Sequence, residues 1–100
     1  MVNTITLISI TGYTTDSIGQ ITPTEERTDV IAEVSSISQS EFMSAGQIGL
    51  KPDLRFEVWT AEYDGQENVE MDGIRYSVYR TFKRDNGRTE LYTERRSGDE

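Results

Sequence analysis

Apolar residues along this chain mostly recur at every second position, the period of a strand with one buried face. Residues 26–36 show it well: Val30, Ala32 and Val34 fall on one side and Asp29, Ile31 and Glu33 on the other. Residues 54–62 repeat it, with Leu54, Phe56 and Val58 facing a core and Arg55, Glu57, Trp59 and Ala61 facing away. Residues 2–11 are β-branched and only partly alternating. Ile5 and Leu7 share one face while Ile8 and Ile10 occupy the other, so this strand needs cover on both sides, from a central place in the sheet or from a neighbouring subunit. After an Asp64-Gly65 turn come a short strand at Val69–Met71, an Asp72-Gly73 hairpin turn and a long strand from Ile74 to Lys83. Asn86-Gly87 is a second hairpin signal, and Arg88 to Arg95 returns along the sheet.

One stretch breaks this rhythm. In residues 38–52 Phe42, Ala45 and Ile48 or Gly49 fall at helical spacing and form one narrow apolar stripe. Ser38 is placed to cap the first turn and Glu41, three residues on, to reach back to the cap N–H, a capping box. Gly49 and Pro52 end the helix. Phe42 is expected to anchor it on the sheet. Residues 12–25, rich in Gly, Pro and Thr, read as a long connection, either solvated with Ile18 and Ile21 held in a short hairpin, or reaching a neighbouring ring. The expected fold is mainly β, a small antiparallel β-barrel or sandwich of about six strands with one short α-helix. Residues 1–96 form the domain, and 97–100, with nothing to bury, form a mobile C-terminal tail.

Composition narrows the function more than the fold. Of 100 residues only 34% are hydrophobic, a poverty that often means burial is completed against a partner. There is no cysteine, hence no disulfide framework or thiolate metal site, which suits a reducing cytoplasm. Ile5 to Ile10 is too short and too polar for a signal peptide, and no stretch approaches a membrane span, so no membrane partner is expected. The absence of histidine removes the commonest general base and metal ligand. The 18 acidic residues show no pair set in unlike environments, and Asp64-Gly65-Gln66-Glu67 lacks the ligand spacing of a Ca²⁺ loop. No catalytic role, cofactor or metal is expected.

A net charge of −8 opposes wrapping nucleic acid through its phosphates, yet an acidic lining would let a duplex slide past. Against that background residues 75–96 stand out, with seven basic residues (Arg75, Arg80, Lys83, Arg84, Arg88, Arg95, Arg96) against Asp85, Glu90 and Glu94. Tyr76, Tyr79, Phe82 and Tyr92 are interleaved with them. Such a hairpin suits single-stranded nucleic acid. The other reading, favoured by the overall charge, packs Tyr76, Val78 and Phe82 inward and pairs the cations with the acidic surface of an adjacent subunit. Trp59, on the charged face of its strand, is either a covered rim residue or an interface hot spot. Met43 and Gln47 lie on the helix face away from Phe42, either solvated or against another subunit.

The order of these pieces resembles a known family. Residues 36–52, 53–66 and 71–94, together with the N-terminal strand and the Gly-containing connection Asp16 to Gln20, are similar to the head closure proteins of long-tailed phages. These are also called head–tail adaptors, joining proteins or stoppers. The resemblance runs from about Ile5 to Glu94 and rests on the combination, since no single piece is a catalytic signature. It implies a virion protein of the head–tail connector, assembled in the host cytoplasm as a sixfold or twelvefold ring. Its partners would be further copies of itself, the portal and adaptor above, a tail terminator or tail completion protein below, and the packaged double-stranded DNA in the channel. The ring would close that channel after packaging and offer a docking surface to the tail. The channel-closing role would fall to Asp16, Ser17, Ile18, Gly19 and Gln20. Ring contacts would come from Met43, Gln47, Lys51, Trp59, Arg75, Arg80, Lys83, Arg84 and Arg88. Two alternatives stay open: a tail terminator or completion ring, and a nucleic-acid-binding β-barrel using the 75–96 hairpin.

Overall fold

The alternating stretches fold as strands, and the computed structural model describes residues 1–95. In chain order they are β1 (Val2–Thr15), β2 (Ile21–Ser36), α1 (Gln39–Gly46), β3 (Pro52–Trp59), a 3-10 turn (Thr60–Glu62), β4 (Asn68–Met71), β5 (Ile74–Lys83) and β6 (Arg88–Arg95). The expected mobile tail at 97–100, and Arg96 with it, lie outside the described residues. Every neighbouring pair is antiparallel, and the sheet closes on itself in the order β1-β2-β3-β6-β5-β4. Closure is made by Thr6, Leu7 and Ile8 of β1 lying opposite Glu70, Val69 and Asn68 of β4. The fold is therefore mainly β with six antiparallel strands and one short helix, as expected, and of the barrel or sandwich anticipated it is the barrel.

Its interior is the predicted core. Ile5, Leu7, Val30, Ala32, Val34, Phe56, Val58, Val69, Met71, Tyr76 and Leu91 form one buried cluster. The Phe56 and Tyr76 rings meet edge to face at 5.5 Å. Ile8 is also fully buried, on the outer side of the wall, with Arg27 opposite it on β2 and Asn68 opposite it on β4. The cover that β1 needs on its second face thus comes from a central place within this chain.

Residues 12–25 are not a loop. β1 and β2 stay paired from Val2↔Glu33 out to Thr15↔Ile21, and only Asp16 to Gln20 turn. β-branched Thr and Ile favour the extended ladder, and the turn is held by Asp16. Its carboxylate accepts the N–H groups of Ile18 at 3.0 Å and Gln20 at 2.9 Å. Gly19, at φ 85°, takes the left-handed backbone that side-chain-bearing residues resist. β4 leaves β1 after Ile8, and β3 meets β2 only from Glu33 onward. Beyond those points the pair continues as a two-stranded arm, about 20 Å of ladder over Ile10–Thr15 at ~3.3 Å per residue. The radius of gyration, 14.7 Å, exceeds the ~13 Å of a round 100-residue domain, as a projecting arm requires.

Three further expectations change. β3 ends at Trp59 rather than residue 62, where the chain turns and the Thr60 N–H donates to the Gly87 carbonyl. The helix is capped by Ser38, whose hydroxyl accepts the Glu41 N–H, but the Glu41 carboxylate does not complete the box. It turns instead to Tyr79 and Arg80 of β5. Phe42 does not anchor α1 either: it is 53% exposed, and Ala45 is the helix residue that is buried. Phe82, expected inward, points out and is 50% exposed. The reason is a β-bulge at Tyr79, where Val78 lies opposite Thr93 but Arg80 opposite Tyr92, so the alternation changes phase along β5.

Candidate functional site

Two regions carry the features that a function would use: the outer wall over β3, β5 and β6, and the arm. On the wall, strand register sets two carboxylates side by side, since Glu57 of β3 lies directly opposite Glu90 of β6. Like charges in that arrangement repel unless cations are interposed. Arg55 donates to Glu90 Oε2 at 3.1 Å, and Arg84 reaches the same oxygen at 3.1 Å and Glu57 at 3.7 Å. The Tyr92 hydroxyl donates to Glu90 Oε1 at 2.6 Å. Burial, then the hydrogen bond to Glu90, hold the Tyr92 phenol above its ordinary pKa. The bulge that moves Phe82 outward brings Arg80 and Arg84 onto this face as well.

The wall continues under α1. Arg80 lies 4.1 Å over the Tyr92 ring and pairs with Glu41 at 2.5 Å, while Tyr79 donates to Glu41 at 2.9 Å. The Arg80 guanidinium, then the Tyr79 hydroxyl, hold the Glu41 carboxyl below the usual range. Burial, then the bond to Glu41, push the Tyr79 phenol well up. At the other end of β3, Arg88 stacks 4.5 Å over Trp59. There β3 turns away from β2, leaving a shallow groove lined by Val2, Ile31, Glu33, Glu57, Trp59 and Arg88.

The arm is of another kind. Register puts Tyr13 beside Pro23 and Thr15 beside Ile21 on one face, and Thr14 beside Thr22 on the other. Tyr13, Ile18 and Ile21 are largely exposed, Ile18 by 83%. Asp16 is the one charged residue between positions 10 and 24, and its carboxylate is turned inward on the backbone of its own turn. At the arm's base Glu25 binds Arg75 through two hydrogen bonds, of 2.8 and 3.2 Å, and Arg27 pairs with Glu70 at 2.5 Å. Arg75 holds the Glu25 carboxyl below its ordinary value.

Of the predicted site residues, Asp16, Ser17, Ile18, Gly19 and Gln20 are together at the arm tip. Trp59 and Arg88 meet. Arg75, Arg80 and Arg84 are each engaged by carboxylates of their own chain. Met43, Gln47, Lys51 and Lys83 are exposed. Sequence reasoning missed the Glu57–Glu90 pair, because it arises between strands distant in the chain. It also missed the exposed helix residue Phe42, Ile48 in the turn after the helix, and the groove residues Val2 and Ile31. Among the described residues no cluster of acidic side chains is arranged to hold a metal ion, and no helix is long and apolar enough to cross a membrane. The chain matches no protein-family model and none of the curated proteins.

Proposed function

We propose that this chain is a structural component of a phage head–tail connector: a ring-forming protein below the portal and adaptor that closes the DNA channel after packaging and presents a surface to the tail. The observation that carries the reading is the arm. It projects from a closed barrel, ends in exposed Ile18, and has no cation from Ile10 to Thr24. A device that lies in the path of a duplex must not bind phosphates tightly, and a threonine-lined ribbon without cations meets that need. The similarity of residues 5–94 to head closure proteins supports the same role, with Asp16 to Gln20 as the occluding tip. The nucleic-acid alternative loses support because Arg75, Arg80 and Arg84 already lie against Glu25, Glu41 and Glu90.

The test is co-sedimentation with DNA-filled, tailless heads that lack this protein, followed by a DNA-leakage assay. The full chain is expected to bind the portal vertex and restore retention. A variant in which residues 12–24 are replaced by an Asn-Gly turn is expected to bind and still leak. Capping of purified tails without head binding would replace this reading with a tail terminator. Oligonucleotide binding that weakens steeply with salt, with neither heads nor tails bound, would replace it with the nucleic-acid barrel.

A further inference from the structure

A closed barrel has no strand edges, but this one leaves stretches of β1, β2 and β5 unpaired among the described residues where strands outrun their neighbours, and those on β2 and β5 carry unmatched charge. The first is on β2. The Asp16 N–H donates to Gln20 at the tip and the Val34 N–H donates to Met1 at the base, so the even-numbered residues of β2 bond to β1. The odd-numbered residues turn their backbone groups outward. β3 takes these up only from Glu33, and Pro23 has no N–H to offer. Among the described residues a free edge therefore runs from Glu25 to Ile31. The second is on β5. Arg84 donates to Arg88, which places Phe82 and Arg80 in the bonded set with β6 and turns Thr81 and Lys83 outward. β4 covers β5 only from Ile74 to Ser77, and the Val78 N–H is taken by Glu67. Among the described residues nothing pairs with the backbone of Thr81 or Lys83.

The charges left unmatched on these two edges are opposite in sign. On β2, Glu26 and Asp29 are exposed and have no ion pair among the described residues, though Asp29 accepts the Thr6 hydroxyl. On β5, Lys83 is exposed and likewise without an ion pair among the described residues, while Arg80 and Arg84 beside it, like Arg27 on the β2 edge, are matched by carboxylates of their own chain. With Arg27 already matched by Glu25 and Glu70, pairing β2 with β2 would leave the unmatched acids Glu26 and Asp29 without a cation, and pairing β5 with β5 would set Lys83 against Lys83. Between these two edges, β2 against β5 is the complementary pairing, and those are different surfaces of one chain. A contact between unlike surfaces repeats head to tail and closes as a ring where the rotation allows.

We propose that copies of this chain join by strand addition, the free β2 edge Glu25–Ile31 of one copy pairing with the free β5 edge Thr81–Lys83 of the next. Main-chain bonds would supply the contact and the flanking charges its direction. The proposal deepens the ring reading above and rests on it in one respect, that copies of this chain meet.

Sedimentation velocity on the purified chain tests it, over a concentration series reaching ~1 mM to populate weak contacts. Self-association is expected, with amide exchange at Arg27, Asp29, Thr81 and Lys83 slowing as concentration rises. The double variant Glu26→Lys/Asp29→Lys and the single variant Lys83→Glu are each expected to weaken association about tenfold or more. Mixing the two variants in equal amounts is expected to restore it, because each then meets a complementary edge. A chain monomeric throughout the series would overturn the proposal. So would association that ignores these substitutions, or protection gained only at Phe42 and Met43 of the helix and Ile48 just after it. Head binding is read in a separate assay: retention of DNA by a chain that never self-associates sinks only this inference, and self-association without head binding sinks only the connector role.

Discussion

β1 and β2 run without interruption from the barrel wall into the arm, yet the two regions are finished in different ways. In the wall each strand has a neighbour on both sides over part of its length, Leu7, Phe56 and Leu91 are fully buried, and the carboxylates Glu57 and Glu90 are matched by arginines of the same chain. In the arm each strand has one neighbour, and Tyr13, Ile18 and Ile21 face solvent. An isolated two-stranded ribbon is marginal in water. Stability therefore resides in the wall, and the arm is a rider on it, free to change partners without unfolding the domain.

The sharpest way to break that comparison is to injure each region in turn. Phe56→Ala removes a fully buried ring from the centre of the core and is expected to cost about 3–5 kcal/mol in urea unfolding. Replacing residues 12–24 by an Asn-Gly turn is expected to cost less than ~1 kcal/mol, because no residue of the core cluster is removed. If the shortened arm cost as much as Phe56→Ala, the division between wall and arm would be wrong.

Next in size is the ionic part of the wall. Glu90 accepts from Arg55, Arg84 and Tyr92 with its side chain only 7% exposed. Glu90→Gln leaves two guanidinium groups without their nearest charge and is expected to cost about 2 kcal/mol. Glu57→Gln removes a carboxylate paired, among the described residues, with Arg84 alone, at 3.7 Å, and relieves its repulsion with Glu90. That change is expected to cost under ~1 kcal/mol. Urea midpoints of the two variants give the comparison directly.

Much of this was legible in the sequence. Two-residue alternation placed Val30, Ala32, Val34, Phe56 and Val58 in the core, and turn residues marked both C-terminal hairpins. Two features resisted for physical reasons. The bulge at Tyr79 has no residue signature, and one inserted residue reverses every later side chain of β5, which is why Phe82 was expected inward. The arm was hidden by its Gly, Pro and Thr. Those residues signal a loop, yet Thr favours a strand, and Pro23 sits where its missing N–H costs no ladder bond. At the candidate site, the tip Asp16 to Gln20 was visible from its turn residues. The partners of Arg75, Arg80 and Arg84 were not, since Glu25, Glu41 and Glu57 reach them only through tertiary pairing.

Acid separates the regions more gently. Glu25, beside Arg75, and Glu41, beside Arg80, both titrate below the ordinary carboxylate value when folded. The unfolded chain binds more protons in that range, so stability rises with pH there. The contribution of each is full above the unfolded pKa of about 4.3 and disappears as pH falls through the lowered folded value. Urea midpoints are expected to drop between about pH 5 and pH 2, and Glu41→Gln and Glu25→Gln are each expected to flatten that drop. Because Glu25 sits at the arm's base, its substitution is expected to speed amide exchange in the arm as well, whereas Glu41→Gln leaves the arm unchanged.

The smallest effect is expected at the tip, where it is also the most informative. Gly19→Ala places a side chain on a left-handed backbone, at φ 85°, in open space, so the cost is conformational alone, about 1 kcal/mol. If the arm opens independently of the barrel, that cost falls on the arm's own opening equilibrium and not on global unfolding. The urea midpoint is then expected to stay put while amides from Tyr13 to Thr22 exchange about fivefold faster, the ratio corresponding to ~1 kcal/mol. A shift of the global midpoint by the full amount would mean that arm and barrel unfold together. The exposed tip would then be a rigid extension of the wall rather than a segment free to take up a partner.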